Sequence, residues 1–217
     1  MPEPTTRPPA RPVDPSTGPS GLDSLAARLQ SHRARRLPGR HWMVRCGVVL
    51  LIAEQGPGGA APALLMMRRA ERAGDPWSGQ VSFPGGRVQV EDADTRAAAL
   101  RELSEETGLQ PDASFVPIGR LSDLLTREHG RQRPMVVTPY VYQVPRALAV
   151  APGAEAARLW WEPLTTLVDT DRQRTQIWRV AGLPLPFPAI EVSGARLWGL
   201  SLMMVKELVR ATGLKAR

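Results

Sequence analysis

The chain has 217 residues, 42% of them hydrophobic and 23% charged, which is enough for a domain with a core of its own and excludes a wholly polar, unfolded chain. No apolar run approaches the ~20 residues that cross a bilayer, so a membrane-spanning helix is not expected. The formal net charge of +7 leaves anionic partners open, but no zinc-finger spacing or aromatic RNA-binding signature is present, so a dedicated nucleic-acid module is not expected.

Residues 1–20 carry Pro2, Pro4, Pro8, Pro9, Pro12, Pro15 and Pro19 and read as a disordered leader before one domain over 21–217. No secretory pattern opens the chain, so the default address is cytoplasmic. From Gly21 to Arg36, Leu22, Leu25, Ala26 and Leu29 recur at helical spacing, with Ser20 or Asp23 as cap and Arg33, Arg35 and Arg36 at the end. Strands follow at about Trp42–Ala53 and Ala63–Arg68, joined through Gln55–Gly59. Cys46 is the only cysteine, which excludes an internal disulfide. Inside its apolar run it reads as a small buried hydrophobe. A charged loop, 69–79, and a short strand, Gln80–Phe83, lead into Pro84-Gly85-Gly86.

Asp94–Thr107 reads as a helix with Ala97 to Leu100 and Leu103 on its apolar side and Gly108 as its stop. Strands are expected at Phe115–Leu121 and Met135–Val144 around a basic loop, Arg127–Arg133, and again at Leu159–Trp161. On that last strand Trp160 and Trp161 point to opposite faces, and both read as packing residues. Pro163–Val168 suggests a short helix. A Pro-rich stretch, Leu183–Ile190, precedes a final amphipathic helix, Leu197–Thr212. Strands and helices mix without strict alternation, which points to an α/β or α+β sandwich. His32, His41 and His129 show no ligand spacing, so no zinc site is expected.

The chemistry concentrates in two segments, Gly86-Arg-Val-Gln-Val-Glu-Asp92 and Arg101-Glu-Leu-Ser-Glu-Glu-Thr-Gly-Leu109. Glu102, Glu105 and Glu106 stand at i, i+3 and i+4, so one helical face carries three carboxylates. Like charges at this spacing repel, and the last turn of a helix disfavours acids. Two local rules broken together mark a functional site, and a divalent cation relieves both penalties. Clustered oxygen ligands suit Mg²⁺ or Mn²⁺. Upstream, Gly85-Gly86 lets backbone approach a ligand closely.

These segments resemble the Nudix box, G-x5-E-x7-R-E-U-x-E-E-x-G-U with U aliphatic. Arg101 to Leu109 matches its second half at every fixed position and Gly86 its opening glycine. Asp92 stands at the first acidic position, and one additional residue separates it from Arg101. The resemblance implies a Nudix-type α/β/α sandwich with a mixed sheet, and a hydrolase that splits a pyrophosphate bond with Mg²⁺ or Mn²⁺. It implies Glu102, Glu105 and Glu106 as metal ligands, completed by the carbonyl of Gly85 or Gly86, and Arg101 as the group that orients a ligating glutamate. Glu105 is one candidate general base and Glu155, in a later loop, a second.

Leu64-Leu-Met-Met-Arg-Arg-Ala70, Gly79-Gln-Val-Ser-Phe-Pro-Gly-Gly86 and Leu197-Trp-Gly-Leu200 further resemble the coenzyme A pyrophosphatase branch, as does the additional residue within the box. Met66 and Arg69 stand where that branch usually has Thr and Ser, and the Gly74–Gly79 insert is longer. The implied substrate is coenzyme A or an acyl derivative, cleaved to 3′,5′-ADP and a 4′-phosphopantetheine product. ADP-ribose, dinucleoside polyphosphates and nucleoside triphosphates are the alternatives within the family. A non-catalytic domain that senses nucleotides or binds partners is the alternative outside enzymology. Arg68, Arg69 and Arg72 cluster just before the glycine turn and are candidate substrate-phosphate contacts. A homodimer is left open.

Overall fold

The computed structural model describes residues 21–75, 77–128, 133–180 and 183–215. The proline-rich leader, His129 and most of the basic loop lie outside these residues.

The apolar run around Cys46 becomes the long strand β1 (Val44–Gln55), buried on both faces from Cys46 to Ala53. β1 pairs in parallel with β7 (Pro134–Arg146) and antiparallel with β2 (Ala63–Arg69) and β4 (Gly85–Arg87). β3 (Val81–Ser82) and β8 (Ala156–Pro163) add to β2, while β5 (Val116–Arg120) and β6 (Leu124–Arg127) add to β7. The result is a mixed sheet, as the sequence implies.

Period-two alternation along β1 divides the core. Val49, Leu51 and Ala53 face α2 (Thr95–Thr107), joining Ala99 and Leu103. Leu50 and Ile52 face the other side, with Leu25 and Leu29 of α1 (Gly21–Ser31) and Val205 and Leu208 of α3 (Gly199–Thr212). Helices cover both faces, giving an α/β/α sandwich. α2 sits so close to β1 that a Cβ on Gly47 would lie 1.8 Å from the Thr95 carbonyl. Trp160 packs toward the α1/α3 side and Trp161 toward α2, as their adjacency on one strand requires. Cys46 is buried, and burial pushes its thiol up to about 12.

Four expectations need correction. The first helix stops at Ser31, so Arg33, Arg35 and Arg36 lie beyond it. There the backbone is recruited elsewhere: Arg35 N–H donates to Ser122 Oγ and Leu37 N–H to Asp123 Oδ2. An unexpected strand, Leu124–Arg127, pairs with β7 and takes in the first residue of the basic loop, Arg127. The proline-rich stretch is strand as well. β9 (Gln173–Val180), β10 (Leu183–Val192) and β11 (Ala195–Trp198) form a second antiparallel sheet, and the final helix begins at Gly199 rather than Leu197. Pro184, Pro186 and Pro188 recur at every second residue, so their missing N–H groups lie along one edge. β11 pairs only with Ala189–Val192 and leaves that edge of the proline stretch unpaired.

Glu207 of α3 ties distant segments together. Its Oε1 accepts from the Ser122 N–H and hydroxyl and lies 2.8 Å from His32 Nε2. Burial alone would raise this carboxyl, but the Ser122 and His32 bonds outweigh it and hold it below the usual carboxylate range. The folded state thus favours the charged form, so this contribution is present above the unfolded-state pKa and disappears as pH falls through the folded one. Glu207→Gln is expected to cost about 1–2 kcal/mol at pH 7 and less at acid pH, read by urea unfolding at both.

Candidate active site

α2 carries the acidic cluster because both of its ends are fixed. Asp94 caps the start, its Oδ1 accepting from the N–H groups of Arg96 and Ala97 at 2.8 Å. Gly108 at φ 71° ends the helix, its N–H returning to the Ser104 carbonyl at 2.9 Å. The loop after β7 covers the same end. Ala151 N–H donates to the Thr107 carbonyl and Gly153 N–H to the Glu106 carbonyl, satisfying groups that a helix terminus leaves unpaired. This docking brings Glu155 to the cluster, where its charge acts on Glu102 and Glu106.

The three glutamates do not share one environment. Glu106 points inward and is 2% exposed. Its Oε2 accepts the Gly85 N–H at 2.9 Å, while Oε1 is buried without a hydrogen-bond partner. Burial, with the neighbouring Glu102 charge, pushes the Glu106 carboxyl up to about 7 against the pull of the Gly85 N–H. Glu102 is partly buried, and burial raises it too, against Arg101. Glu105 turns outward, with 56% of its side chain exposed. The expectation of three carboxylates on one face therefore holds for Glu102 and Glu106, one helical turn apart, while Glu105 stands to the side.

Arg101 organises the outer part of this group. Its Nη1 lies 3.0 Å from both Glu102 Oε1 and Glu105 Oε2. Its Nε and Nη2 grip the two carboxylate oxygens of Asp92, each at 3.1 Å. A bidentate pair of this kind fixes the guanidinium plane. Asp92 is held below the usual carboxylate range, chiefly by this Arg101 bond. The sequence reading gave Asp92 no role. Its place at the first acidic position of the box was the signal for one.

β4 supplies the other wall. Val49 N–H bonds the Pro84 carbonyl and Val88 N–H the Arg45 carbonyl, so the Gly47–Gly86 pair between them falls in the hydrogen-bonded register. The Gly85 peptide consequently faces away from β1, toward Glu106. A Cβ on Gly86 would lie 2.1 Å from Glu102 Oε1, so only glycine leaves room for that carboxylate. Of the two glycine carbonyls named from sequence, Gly85 has the orientation to meet a ligand at the helix.

Among the described residues no three His, Cys, Asp or Glu side chains converge as a ready-made metal cage. The donor set nonetheless fits a hard divalent cation: an orphaned buried carboxylate oxygen on Glu106, Glu102 beside it, and a backbone peptide facing both. Glu105 reaches this position only by leaving Arg101.

The candidate arginines divide. Arg69 Nη2 pairs with Asp75 at 3.2 Å, its Nε is buried without a partner, and its charge acts on Glu106. Arg72 pairs with Glu155 at 3.2 Å. Arg68 donates to the Gly79 carbonyl and lies 3.5 Å from Glu71, farther along the loop. Of the three, Arg69 is the one whose charge acts on Glu106, and Arg72 meets the cluster through Glu155.

Sandwich and site together define a domain in which an acidic helix is set against a double-glycine strand. The NUDIX domain family matches residues 41–179, and the chain belongs to the Nudix family. It is 32% identical over 151 residues to the human mitochondrial coenzyme A diphosphatase NUDT8, covering 67% of this chain and 61% of that protein. It is 28% identical over 129 residues to a probable nudix hydrolase, C6G9.05, of Schizosaccharomyces pombe, covering 59% of this chain and 43% of that one. A solved MutT/nudix family protein from Enterococcus faecalis aligns with a TM-score of 0.49 at 17% identity, covering 81% of this chain and 62% of that one. The match thus spans about half the length of these curated relatives. None of the described helices is long and apolar enough to cross a membrane.

Proposed function

We propose that this chain is a divalent-metal-dependent pyrophosphohydrolase whose substrate is coenzyme A or an acyl derivative, released as 3′,5′-ADP and a 4′-phosphopantetheine product. One observation carries the hydrolase reading: the unpartnered, buried Glu106 Oε1 lies beside Glu102 and the outward-facing Gly85 peptide. An anion there is costly alone and is stabilised by a cation. The coenzyme A reading is supported by the likeness to a relative named as a coenzyme A diphosphatase and by the segments around Arg69 and Trp198 that resemble that branch.

Glu102 and Glu106 would hold Mg²⁺ or Mn²⁺, with the Gly85 carbonyl and a rotated Glu105 completing the set. The bound ion supplies charge neutralisation at the pyrophosphate and makes water a better nucleophile near neutral pH. The protein's own groups do the rest. Gly85 N–H fixes Glu106, and Arg101, clamped by Asp92, fixes Glu102. Two carboxylates can accept the proton of the attacking water. Glu105 is exposed on the helix, and Glu155 stands on the facing loop, held by Arg72. Arg69 offers its guanidinium to a phosphate oxygen beside Glu106. This chemistry needs no disulfide and no thiol, in keeping with a cytoplasmic enzyme whose one cysteine is buried.

Incubation with Mg²⁺ or Mn²⁺ and a panel of coenzyme A species, ADP-ribose, NADH and nucleotides, with chromatographic separation of products, tests the reading. Selective release of 3′,5′-ADP is expected. Turnover confined to the other compounds would overturn the coenzyme A assignment, and no turnover would overturn the hydrolase. Arg69→Ala is expected to raise KM for the active substrate by about tenfold, the scale of one hydrogen bond to a charged group. An unchanged KM would remove Arg69 from substrate binding.

A further inference from the structure

Outside the acidic cluster, cationic and aromatic side chains also gather where the second sheet meets the first. The β9–β11 sheet meets β3 across a cavity of about 350 Å³, lined in part by Arg68, Gln80, Gln176, Trp178, Arg196 and Trp198. Trp77 stands beside it with its ring plane within 6° of Trp178 and the centroids 6.3 Å apart. Trp198 lies 5.0 Å from Trp178 at 47°. These are three of the chain's six tryptophans, and none belongs to either buried core. Trp77 is 39% exposed. Large rings left at the rim of an open polar cavity offer π-faces for stacking.

The rim is also cationic. Two arginines and no carboxylate line the cavity. Arg196 is steadied by a 3.2 Å bond from Nη1 to Gln176 Oε1, and Arg68 by one from Nε to the Gly79 carbonyl. Each bond uses one of a guanidinium's five N–H donors, and Arg68 Nη2 also lies 3.5 Å from the exposed Glu71, a surface pair that a phosphate can displace. A flat aromatic surface flanked by two guanidinium groups recognises a planar base carrying phosphate. Gln80 precedes Gly85 by five residues, so the cavity lies within about 18 Å of the Gly85 peptide along the chain.

We propose that this cavity binds the phosphorylated nucleoside end of the substrate, with a purine ring stacked on Trp178 and a phosphate ester held by Arg68 and Arg196. Its role as part of a substrate site rests on the hydrolase reading above; nucleotide binding by the cavity does not. Binding here fixes one end of an elongated nucleotide conjugate while its pyrophosphate lies at Glu102 and Glu106.

The test is titration of metal-free protein with adenosine 3′,5′-bisphosphate, followed by tryptophan fluorescence, with adenosine and inorganic phosphate as separate probes. Saturable quenching is expected for the bisphosphate, and each of the other two binds at least about tenfold more weakly. Trp178→Leu and Arg196→Gln each weaken bisphosphate binding by about tenfold. Arg196 is exposed on β11, so its variant reads the cavity even if loss of Trp178 perturbs the hairpin. No saturable signal, or equal affinity in wild type and Arg196→Gln, overturns the proposal. Coenzyme A turnover measured alongside separates the two ideas. Turnover without saturable binding overturns the cavity alone, and binding without coenzyme A turnover supports the cavity while overturning the coenzyme A assignment.

Discussion

Glu106→Gln is expected to lower kcat by about a hundredfold or more while making the metal-free protein more stable. The loss follows from the role proposed for Glu106: an amide is a far weaker ligand for a hard cation, and one lost electrostatic contributor has effects of this size. The gain has a separate origin. Glu106 is 2% exposed, and one of its oxygens has no partner. Glutamine keeps the acceptor that Gly85 N–H requires and removes the buried charge. The expected increment is about 1–3 kcal/mol at pH 8. Its pH dependence has a definite sign. The folded-state pKa of about 7 lies above the usual 4.5, so between these values the folded chain keeps a proton that the unfolded chain has lost. Stability of the metal-free wild type therefore falls as pH rises from about 4.5 to about 7, and the Gln variant lacks this slope. Urea unfolding across that range measures both. A Gln variant that is inactive and also less stable than wild type at pH 8 would show that Glu106 serves the fold, not a cation.

Gly86→Ala is the converse case, with little cost to the fold and a large cost to activity. The added methyl meets the end of the Glu102 side chain, at 2.1 Å from Oε1 and 2.3 Å from Cδ, with no backbone atom among its nearest contacts. A flexible carboxylate can swing away, so the expected destabilisation is below about 1 kcal/mol. The swing takes Glu102 off Arg101 and away from Glu106, and a ligand misplaced by an ångström costs about a hundredfold in turnover. Steady-state kinetics with thermal unfolding on the same preparation checks this. Full activity in Gly86→Ala would mean that Glu102 need not occupy its present position.

The main sandwich and the acidic site were legible because each rests on local signals. The continuous apolar run Cys46–Ala53 specifies a strand buried on both faces, and Asp94 with Gly108 brackets the acidic helix. The hairpin sheet was not legible. Proline at alternate positions reads as a strand breaker, and only the pairing of β11 with the far end of β10 alone shows why it is tolerated. The end of α1 was misplaced because Ser122 and Asp123, nearly 90 positions away, take the backbone donors of Arg35 and Leu37. The separate fates of the glutamates also depend on distant chain. Burial of Glu106 comes from its bond to Gly85 and the loop docked on the helix end, and spacing along the helix carries no record of either. Asp92 was visible as a departure from a pattern, but its grip on Arg101 depends on how the loop before the helix folds back.

Direct counting of bound Mn²⁺ by electron paramagnetic resonance, in wild type and in a Glu102→Gln/Glu106→Gln double variant, bears most closely on the dication site. At least one Mn²⁺ per wild-type chain is expected to be bound and displaced by Mg²⁺, with that uptake lost in the double variant. Equal uptake by the two proteins would contradict a cation held between Glu102, Glu106 and the Gly85 peptide.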